Sequence, residues 1–249
     1  MAGHVRRVTN MARRAIKKQK HMNNSIINLE TYRKRKTQVH LLPRNLHQED
    51  YLTLLNDDNK HIVFATGPAG TGKTMLACHR AVHALKNQTH DKVVITRPAV
   101  SVDEQHGFLP GNLIEKMAPW TRPIFDCFEE YYTPQEINRM IADNKIEVAP
   151  LAYMRGRTFK DAWIIADEMQ NATPSQMKML LTRIGTGSKF VITGDLNQHD
   201  RGYEKNGLSD FISHLRSANS DMIGLVEFRN VDIERHRAVS EVLAIYNNQ

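Results

Sequence analysis

The sequence predicts an α/β domain with a mostly parallel sheet and helices on both of its faces. Six short apolar runs, most of them rich in β-branched residues, have the pattern of strands buried on both faces: 61–66, 92–96, 146–149, 162–166, 189–193 and 224–228. Stretches with helical periodicity separate several of these runs, at 46–55, 74–85, 134–141, 174–183, 207–215 and 232–246. This alternation is typical of a parallel sheet. A chain of 249 residues has room for one such domain and an appendage.

The first predicted strand runs into a glycine-rich segment that fits the pattern G-x-x-x-x-G-K-[ST]. It comprises Gly67, Pro68, Ala69, Gly70, Thr71, Gly72, Lys73 and Thr74, and a predicted helix follows it. The glycines let the backbone wrap around an anion, so that amide N–H groups and the N-terminus of the helix face the phosphates. In this pattern the lysine reaches the β and γ phosphates of a nucleotide, and the hydroxyl binds Mg²⁺. We therefore expect ATP and Mg²⁺ to bind at this P-loop through Lys73 and Thr74.

Two later predicted strands end in polar residues that suit ATP hydrolysis. Asp167 and Glu168 follow the run 162–166, about 90 residues beyond the glycine-rich segment. We expect Asp167 to hold the water shell of Mg²⁺ and Glu168 to polarise the attacking water as a general base. Gln198 follows the run 189–193, and its amide can bond both γ phosphate and water, so we interpret it as a sensor. Glu168 argues against a small-molecule kinase, since such kinases usually keep only the metal-binding acid.

Positive charge is concentrated at the N-terminus. Residues 1–45 contain 12 Lys and Arg against the single acid Glu30, while the remaining residues contain 22 against 26, within a net charge of +7. We interpret 1–43 as a flexible basic arm and 44–249 as the ATPase domain. The arm either binds nucleic acid or is a solvated tail, and charge alone does not decide between the two.

Several features predict a soluble, cytoplasmic protein. Only two cysteines occur, Cys78 and Cys127, which gives no support to a disulfide framework. The N-terminus lacks the apolar run of a signal peptide, and no run of about 18 apolar residues predicts a membrane span.

The chain from about Arg44 to Tyr246 resembles the PhoH family, relatives of the RecA-like first domain of superfamily 1 helicases. The resemblance rests on GPAGTGKT at 67, TRPAV at 96, GFLPG at 107, APLAYMRGRT at 149, DEMQNATPSQMKMLLTR at 167, TGDLNQ at 193 and ERHRAV at 234. Two departures stand out. The segment after Gln198 is one residue shorter than the family pattern and lacks its Leu-Pro, and Arg237 replaces the usual proline.

The resemblance implies roles for residues outside the P-loop. Gln48 occupies the place of a glutamine that reads adenine, and one amide can pair with N6 and N7 of that base. Otherwise Gln48 is simply an exposed helical residue. Arg97 matches a helicase motif that contacts the nucleic-acid backbone, and Arg155 and Arg157 are expected to join it. The alternative for these arginines is internal salt bridging.

Comparison with superfamily 1 helicases also predicts self-assembly. Those proteins use a second RecA-like domain to supply arginines to the γ phosphate, and the 51 residues after Gln198 are too few for one. We expect a homo-oligomer, a hexameric ring, in which Arg235 of one copy, or else Arg201, reaches the γ phosphate bound by the next. The alternative for Arg235 is a local pair with Asp232 or Glu234.

The predicted function is ATP hydrolysis coupled to RNA, or to another single-stranded nucleic acid, in a helicase-like oligomeric motor. The alternative is a slow ATP-dependent switch that recruits a nuclease or a ribosome partner. The basic arm suits either function.

Overall fold

One parallel sheet organises the residues that the structure describes. The computed structural model describes residues 38–98, 113–198 and 205–234, with positions 238, 239 and 245, except for the side chains of 113–119. Its strands are β1 Ile62–Thr66, β2 Lys92–Thr96, β3 Ile146–Val148, β4 Ala162–Ala166, β5 Lys189–Gly194 and β6 Ile223–Glu227. They lie in the order β3-β2-β4-β5-β1-β6, and every neighbouring pair is parallel. The predicted α/β fold is confirmed.

Helices cover both faces of this sheet. They are α1 Leu46–Asn56, α2 Lys73–Lys86, α3 Leu113–Glu129, α4 Pro134–Ala142, α5 Pro174–Leu181 and α6 Gly207–Ser217. Buried side chains of α1 to α4 pack with one set of strand residues, and those of α5 and α6 pack with the other set. Both layers are therefore held by hydrophobic burial of alternate residues of the same strands. None of the helices in the described part of the chain is long and apolar enough to cross a membrane.

The sequence prediction is wrong at one helix start. Helical structure was expected from residue 232, but Asn230–Asp232 form a 3-10 turn, and 233 and 234 are not helical. The carboxylate of Asp232 accepts the N–H of Arg229 at 2.7 Å and so caps this short turn. Positions 238, 239 and 245 are helical. Residues 1–37 of the arm 1–43 lie outside the described residues, so the structure of the arm stays a prediction.

The strand order decides which loops meet at the carboxyl edge of the sheet. Because β5 lies between β1 and β4, Gly194 pairs with Thr66 of β1, while Ile192 pairs with Ala166 of β4. The segments that follow these three strands are the P-loop, the acids after β4 and the loop after β5. They therefore emerge side by side, where ligands bind in open parallel sheets.

A buried lysine at the opposite edge supports α1. Lys189 is 5% exposed, and its Nζ donates to the carbonyls of Leu55 at 2.9 Å and Asp57 at 2.8 Å. These bonds satisfy carbonyls that a helix C-terminus leaves without partners. Burial lowers the pKa of Lys189 to about 8, although the nearby Asp58 carboxylate raises it.

We expect this lysine to make stability depend on pH between about 8 and 10.5. Its folded pKa is about 8 against an ordinary value of 10.5, so over this range the unfolded chain binds more protons. Its contribution is complete above 10.5 and is lost as pH falls through 8. Urea unfolding measures the free energy of unfolding of the wild type and of Lys189→Met. From pH 7.5 to pH 10 this free energy should rise by about 2 kcal/mol more in the wild type than in the variant. Lys145→Met, at an exposed lysine, is the control, and identical pH dependence in all three proteins would contradict the assignment.

Candidate active site

A cavity of about 270 Å³ opens where the three segments meet. It is lined by Ala69, Gly70, Gly72, Lys73, Thr74, Met75, Asp167, Glu168, Gly194, Asp195 and Gln198. The structure thus brings together the P-loop, the two acids and the proposed sensor, which are separated by up to about 130 residues in the sequence.

The P-loop has the backbone that an anion cradle requires. Gly67, Gly70 and Gly72 have φ of 132°, 87° and 87°, a region that side chains disfavour. A Cβ on Gly67 would lie 2.3 Å from the carbonyl oxygen of Phe228, so only glycine fits there. Helix α2 begins directly after the loop, at Lys73. Its unpaired N–H groups and the left-handed turns together favour bound phosphate.

Lys73 is the only cationic side chain that lines the cavity within the described residues. Its Nζ donates to the carbonyls of Gly67 and Pro68, each at 2.7 Å, so the ammonium lies over the P-loop. Burial lowers the pKa of Lys73, and the carboxylates of Asp195, Glu168 and Asp167 act in the opposite direction. A polyphosphate entering the cavity would meet this charge directly.

Oxygen atoms suited to a hard cation lie beside the P-loop. Thr74 Oγ1 donates to Asp167 Oδ1 at 2.8 Å, and Thr193 Oγ1 donates to the same carboxylate oxygen. Hydroxyl and carboxylate oxygens are the ligand types that Mg²⁺ prefers. The residues present therefore fit a magnesium ion held between the P-loop and β4. Thr193 was missed by sequence reasoning, because its contact depends on β5 lying next to β4.

Glu168 is held by a buried glutamine that sequence reasoning also missed. Glu168 has φ 54°, an unusual backbone for a non-glycine residue. Its Oε2 accepts from Gln170 Nε2 at 2.5 Å, and Gln170 Oε1 accepts the N–H of Asp195 at 3.1 Å. Gln170 is 1% exposed, so this amide connects the acid after β4 to the loop after β5. The sequence offered one signal for Gln170, its position two residues beyond Glu168.

Gln48 lies under the P-loop rather than on the surface. It is 1% exposed, which excludes the exposed helical residue considered as the alternative. Its Nε2 donates to the carbonyl of Thr71 at 3.2 Å, and its Oε1 accepts the N–H of Arg44 at 3.0 Å. The amide thus supports the loop conformation, and its role towards adenine stays a prediction.

The three arginines expected to contact nucleic acid have different environments. Arg157 forms a two-pronged ion pair with Glu147, one bond of which is 2.8 Å, and its guanidinium lies 4.6 Å from the ring centre of Phe159. This pair lowers the pKa of Glu147, so the internal salt bridge is what the structure shows for Arg157. Arg155 is exposed, and Arg97 is half-buried with Nε unpartnered among the described residues.

Arg201 and Arg235 lie outside the described residues, so their roles stay predictions. The carboxylates considered as local partners for Arg235 have other contacts. Asp232 pairs with His47 at 2.8 Å, and Glu234 pairs with Arg44 at 3.7 Å. The N–H of Glu234 donates to the P-loop carbonyl of Gly70 at 2.9 Å, which brings the segment after β6 to the cavity.

Comparisons with known proteins agree with these motifs. A family model described as "PhoH-like protein" matches residues 40–247. A PhoH-like protein of Mycobacterium bovis is 47% identical over 205 residues, which are 82% of this chain and 57% of the relative. A PhoH-like protein of Bacillus subtilis is 45% identical, and the match covers 83% of this chain and 64% of the relative. Protein PhoH of Escherichia coli K12 is 40% identical, and the match covers 83% of this chain and 58% of the relative. The chain thus spans about three-fifths of the length of these curated relatives.

Among solved structures, similarity is lower. A crystal structure of Pif1 helicase from Candida albicans is 15% identical with a TM-score of 0.39, covering 84% of this chain and 44% of that one. A Sulfolobus solfataricus SWI2/SNF2 ATPase core in complex with dsDNA is 13% identical with a TM-score of 0.36. The match covers 63% of this chain and 33% of that one.

Proposed function

Because the chain belongs to the family of PhoH-like proteins, we propose that its cavity binds ATP with Mg²⁺ and hydrolyses it. One observation carries the proposal: Lys73, Thr74, Asp167 and Glu168 line a single cavity beside the N-terminus of α2. That set combines a phosphate cradle, oxygen ligands for a hard cation and, in Glu168, a second carboxylate that can act as a base.

Each residue has a separate task in the proposed reaction. Lys73 and the P-loop amides bind the β and γ phosphates, while Thr74 and Asp167 hold the metal. Mg²⁺, when bound, neutralises charge on the phosphates. Glu168 accepts a proton from the attacking water, and Gln198, exposed at the cavity, orients that water and senses the γ phosphate. Gln48 reads adenine in this proposal, which requires its amide to exchange its bonds to Thr71 and Arg44 for bonds to the base.

Gln170 positions the proposed base, so its replacement should lower the rate more than the affinity. In Gln170→Met the side chain keeps its length but loses the bonds to Glu168 and to the Asp195 N–H. We expect the kcat for ATP hydrolysis to fall by about 10- to 100-fold with KM nearly unchanged. Steady-state phosphate release measures both, with Gln135→Met at an exposed site of α4 as the control. A raised KM with unchanged kcat would contradict the positioning role.

We further propose that hydrolysis is coupled to RNA, or to another single-stranded nucleic acid. The basic arm 1–43 supports this, as does the exposed Arg155, whereas the Nε of Arg97 is buried and lends no support. Arg157 is left out of the proposed contacts because Glu147 occupies its guanidinium. The alternative is a slow switch that recruits a nuclease or a ribosome partner, and it requires ATP binding without stimulation of turnover.

The test of this coupling is ATP turnover with and without single-stranded RNA. We expect RNA to raise kcat, and we expect deletion of residues 1–40 to weaken RNA binding and flatten its salt dependence. Each RNA phosphate that the arm no longer neutralises should reduce the salt slope by about 0.7 for a single strand. Unchanged turnover alongside ATP-dependent RNA binding would favour the switch. Equal affinity and slope for the truncated protein would identify the arm as an inert tail.

We also propose a homo-oligomer, most simply a hexameric ring. Phosphate-transferring sites commonly use an arginine to stabilise the transition state, and no arginine lines the cavity within the described residues. We therefore expect Arg235 or Arg201 of a neighbouring copy to supply it. Sedimentation of the purified chain with ATP measures its mass, and a monomer at working concentration would contradict the ring.

A further inference from the structure

Helix α1 and the segment 228–234, which follows β6, both bond to the main chain of the P-loop. The N–H of Glu234 donates to the carbonyl of Gly70 at 2.9 Å. From α1, Nε2 of Gln48 donates to the carbonyl of Thr71 at 3.2 Å. Neither donor lines the cavity. Two successive P-loop carbonyls are therefore held outside the cavity, one by each part of the chain.

These bonds orient the amides that would meet phosphate. In a planar trans peptide the C=O and the N–H point in opposite directions. Holding the Gly70 carbonyl outside the cavity therefore turns the N–H of Thr71 towards it, and holding the Thr71 carbonyl does the same for the N–H of Gly72. Gly70 and Gly72 line the cavity, so both N–H groups belong to the proposed phosphate cradle.

A bond from a histidine to a buried carboxylate joins α1 directly to the segment 228–234. Nδ1 of His47 lies 2.9 Å from Oδ1 and 2.8 Å from Oδ2 of Asp232, and we refer to these two residues as the clasp. His47 directly precedes Gln48 in the sequence. Asp232 lies two residues before Glu234, so the clasp connects the two residues that hold P-loop carbonyls.

The carboxylate of Asp232 depends on its histidine partner. Burial raises the pKa of Asp232, but the bonds from Arg229 and His47 outweigh burial and lower it, so the group is ionised near neutral pH. An ionised carboxylate only accepts hydrogen bonds, so Nδ1 of His47 is the donor. Asp232 is 4% exposed, and a buried carboxylate that loses a donor is strongly destabilised. Without His47, the segment 228–234 is expected to shift so that water reaches this group.

A second ion pair between the same parts of the chain contributes less. Arg44 pairs with Glu234 at 3.7 Å, but their side chains are 68% and 40% exposed. Exposed pairs are screened by solvent and stabilise little. The clasp is therefore the stronger of the two links.

We propose that His47 and Asp232 are positioning residues for the P-loop. By holding α1 to the segment 228–234, the clasp keeps the amides of Thr71 and Gly72 in the direction that bound phosphate requires. This rests on the proposed binding of ATP and adds two residues outside the cavity to that site. Because these amides meet the phosphates in the bound substrate as well as during hydrolysis, loss of the clasp should raise Kd and KM and leave kcat nearly unchanged.

The test measures the Kd and the turnover of Mg-ATP with the full chain. We expect His47→Ala to raise the Kd by about 5- to 20-fold. His47→Asn should bind nearly as the wild type does, because the asparagine amide offers an N–H donor without the ring. His47→Phe keeps a ring without the donor and should resemble His47→Ala, which it replaces if the alanine variant does not fold. His214→Ala, at an exposed histidine of α6, is the matched control.

Two further measurements separate positioning from general stability. Asp232→Ala should also weaken ATP binding, and the double variant with His47→Ala should bind no more weakly than Asp232→Ala alone, since both changes break one contact. The N–H of Glu234, which is bonded to Gly70, should exchange with solvent at least about 5-fold faster in His47→Ala than in the wild type. This exchange is followed by NMR without ATP, and urea unfolding shows whether each variant is folded.

The outcomes separate this proposal from the one on which it depends. If folded His47→Ala keeps the wild-type Kd, or loses kcat alone, the clasp does not position the P-loop and the proposed ATP site stands. Equal losses in His47→Asn and His47→Ala would assign the effect to the ring, whose centre lies 6.2 Å from that of Phe228, and would overturn the clasp. If the folded wild type does not bind Mg-ATP, the proposed ATP site itself is wrong, and the exchange of Glu234 alone decides whether the clasp holds the segment 228–234.

Discussion

Replacing Glu168 with glutamine is expected to lower ATP turnover by about 100- to 10,000-fold and to leave ATP affinity nearly unchanged. The amide has the shape of the carboxylate and can still accept the hydrogen bond from Gln170, but it cannot take a proton from water. Because Glu168 acts on water rather than on the bound phosphates, the loss should appear in kcat alone. Isothermal titration with Mg-ATP and a phosphate-release assay measure the two quantities.

Glu129→Gln is the matched control for this variant. Glu129 lies in α3 and pairs with Arg122 at 3.6 Å, away from the cavity-lining residues. We expect it to bind and hydrolyse ATP as the wild type does. Undiminished turnover in Glu168→Gln would show that another group acts as the base.

Replacing Lys73 with alanine is expected to weaken ATP binding by at least about 100-fold and to abolish turnover. The ammonium is the only cation that lines the cavity within the described residues, and charge-assisted bonds to phosphate contribute about 1.5 to 3 kcal/mol each. Loss of two such bonds accounts for the expected change. Titration with Mg-ATP checks it, with Lys145→Ala at an exposed lysine as the control.

Lys73 also bonds the carbonyls of Gly67 and Pro68, so the variant must be shown to be folded. Circular dichroism and urea unfolding separate a collapsed P-loop from a lost charge. A folded Lys73→Ala protein with wild-type affinity for ATP would exclude phosphate binding by this residue.

The strands were predictable because each is a nearly continuous apolar run, and their observed bounds differ from the expected ones by at most one residue at either end. Helix α3 was not anticipated, and Pro123 lies inside it, a residue that usually interrupts helices. The 3-10 turn at Asn230–Asp232 depends on bonds from Asp232 to His47 and Arg229. The contact with His47 joins distant segments, and neither contact leaves a periodic signal in the sequence.

The residues of the site also fall into two groups, those that belong to contiguous motifs and those whose contacts depend on the strand order. The P-loop and the acids after β4 are contiguous motifs, so their chemistry could be inferred from residue types and spacing. Thr193 and Gln170 act across strands, and their contacts exist because β5 separates β1 from β4. The pairing of Arg157 with Glu147 likewise depends on how the segment after β3 folds back. Sequence spacing alone could not distinguish that pair from a nucleic-acid contact.

The most direct measurement of the central claim is release of phosphate from ATP by the purified chain, with and without Mg²⁺. We predict release that saturates with ATP, requires Mg²⁺ and disappears in a Glu168→Gln protein that still binds ATP. Failure of the folded wild type to bind ATP, or equal phosphate release by Lys73→Ala, would contradict the claim.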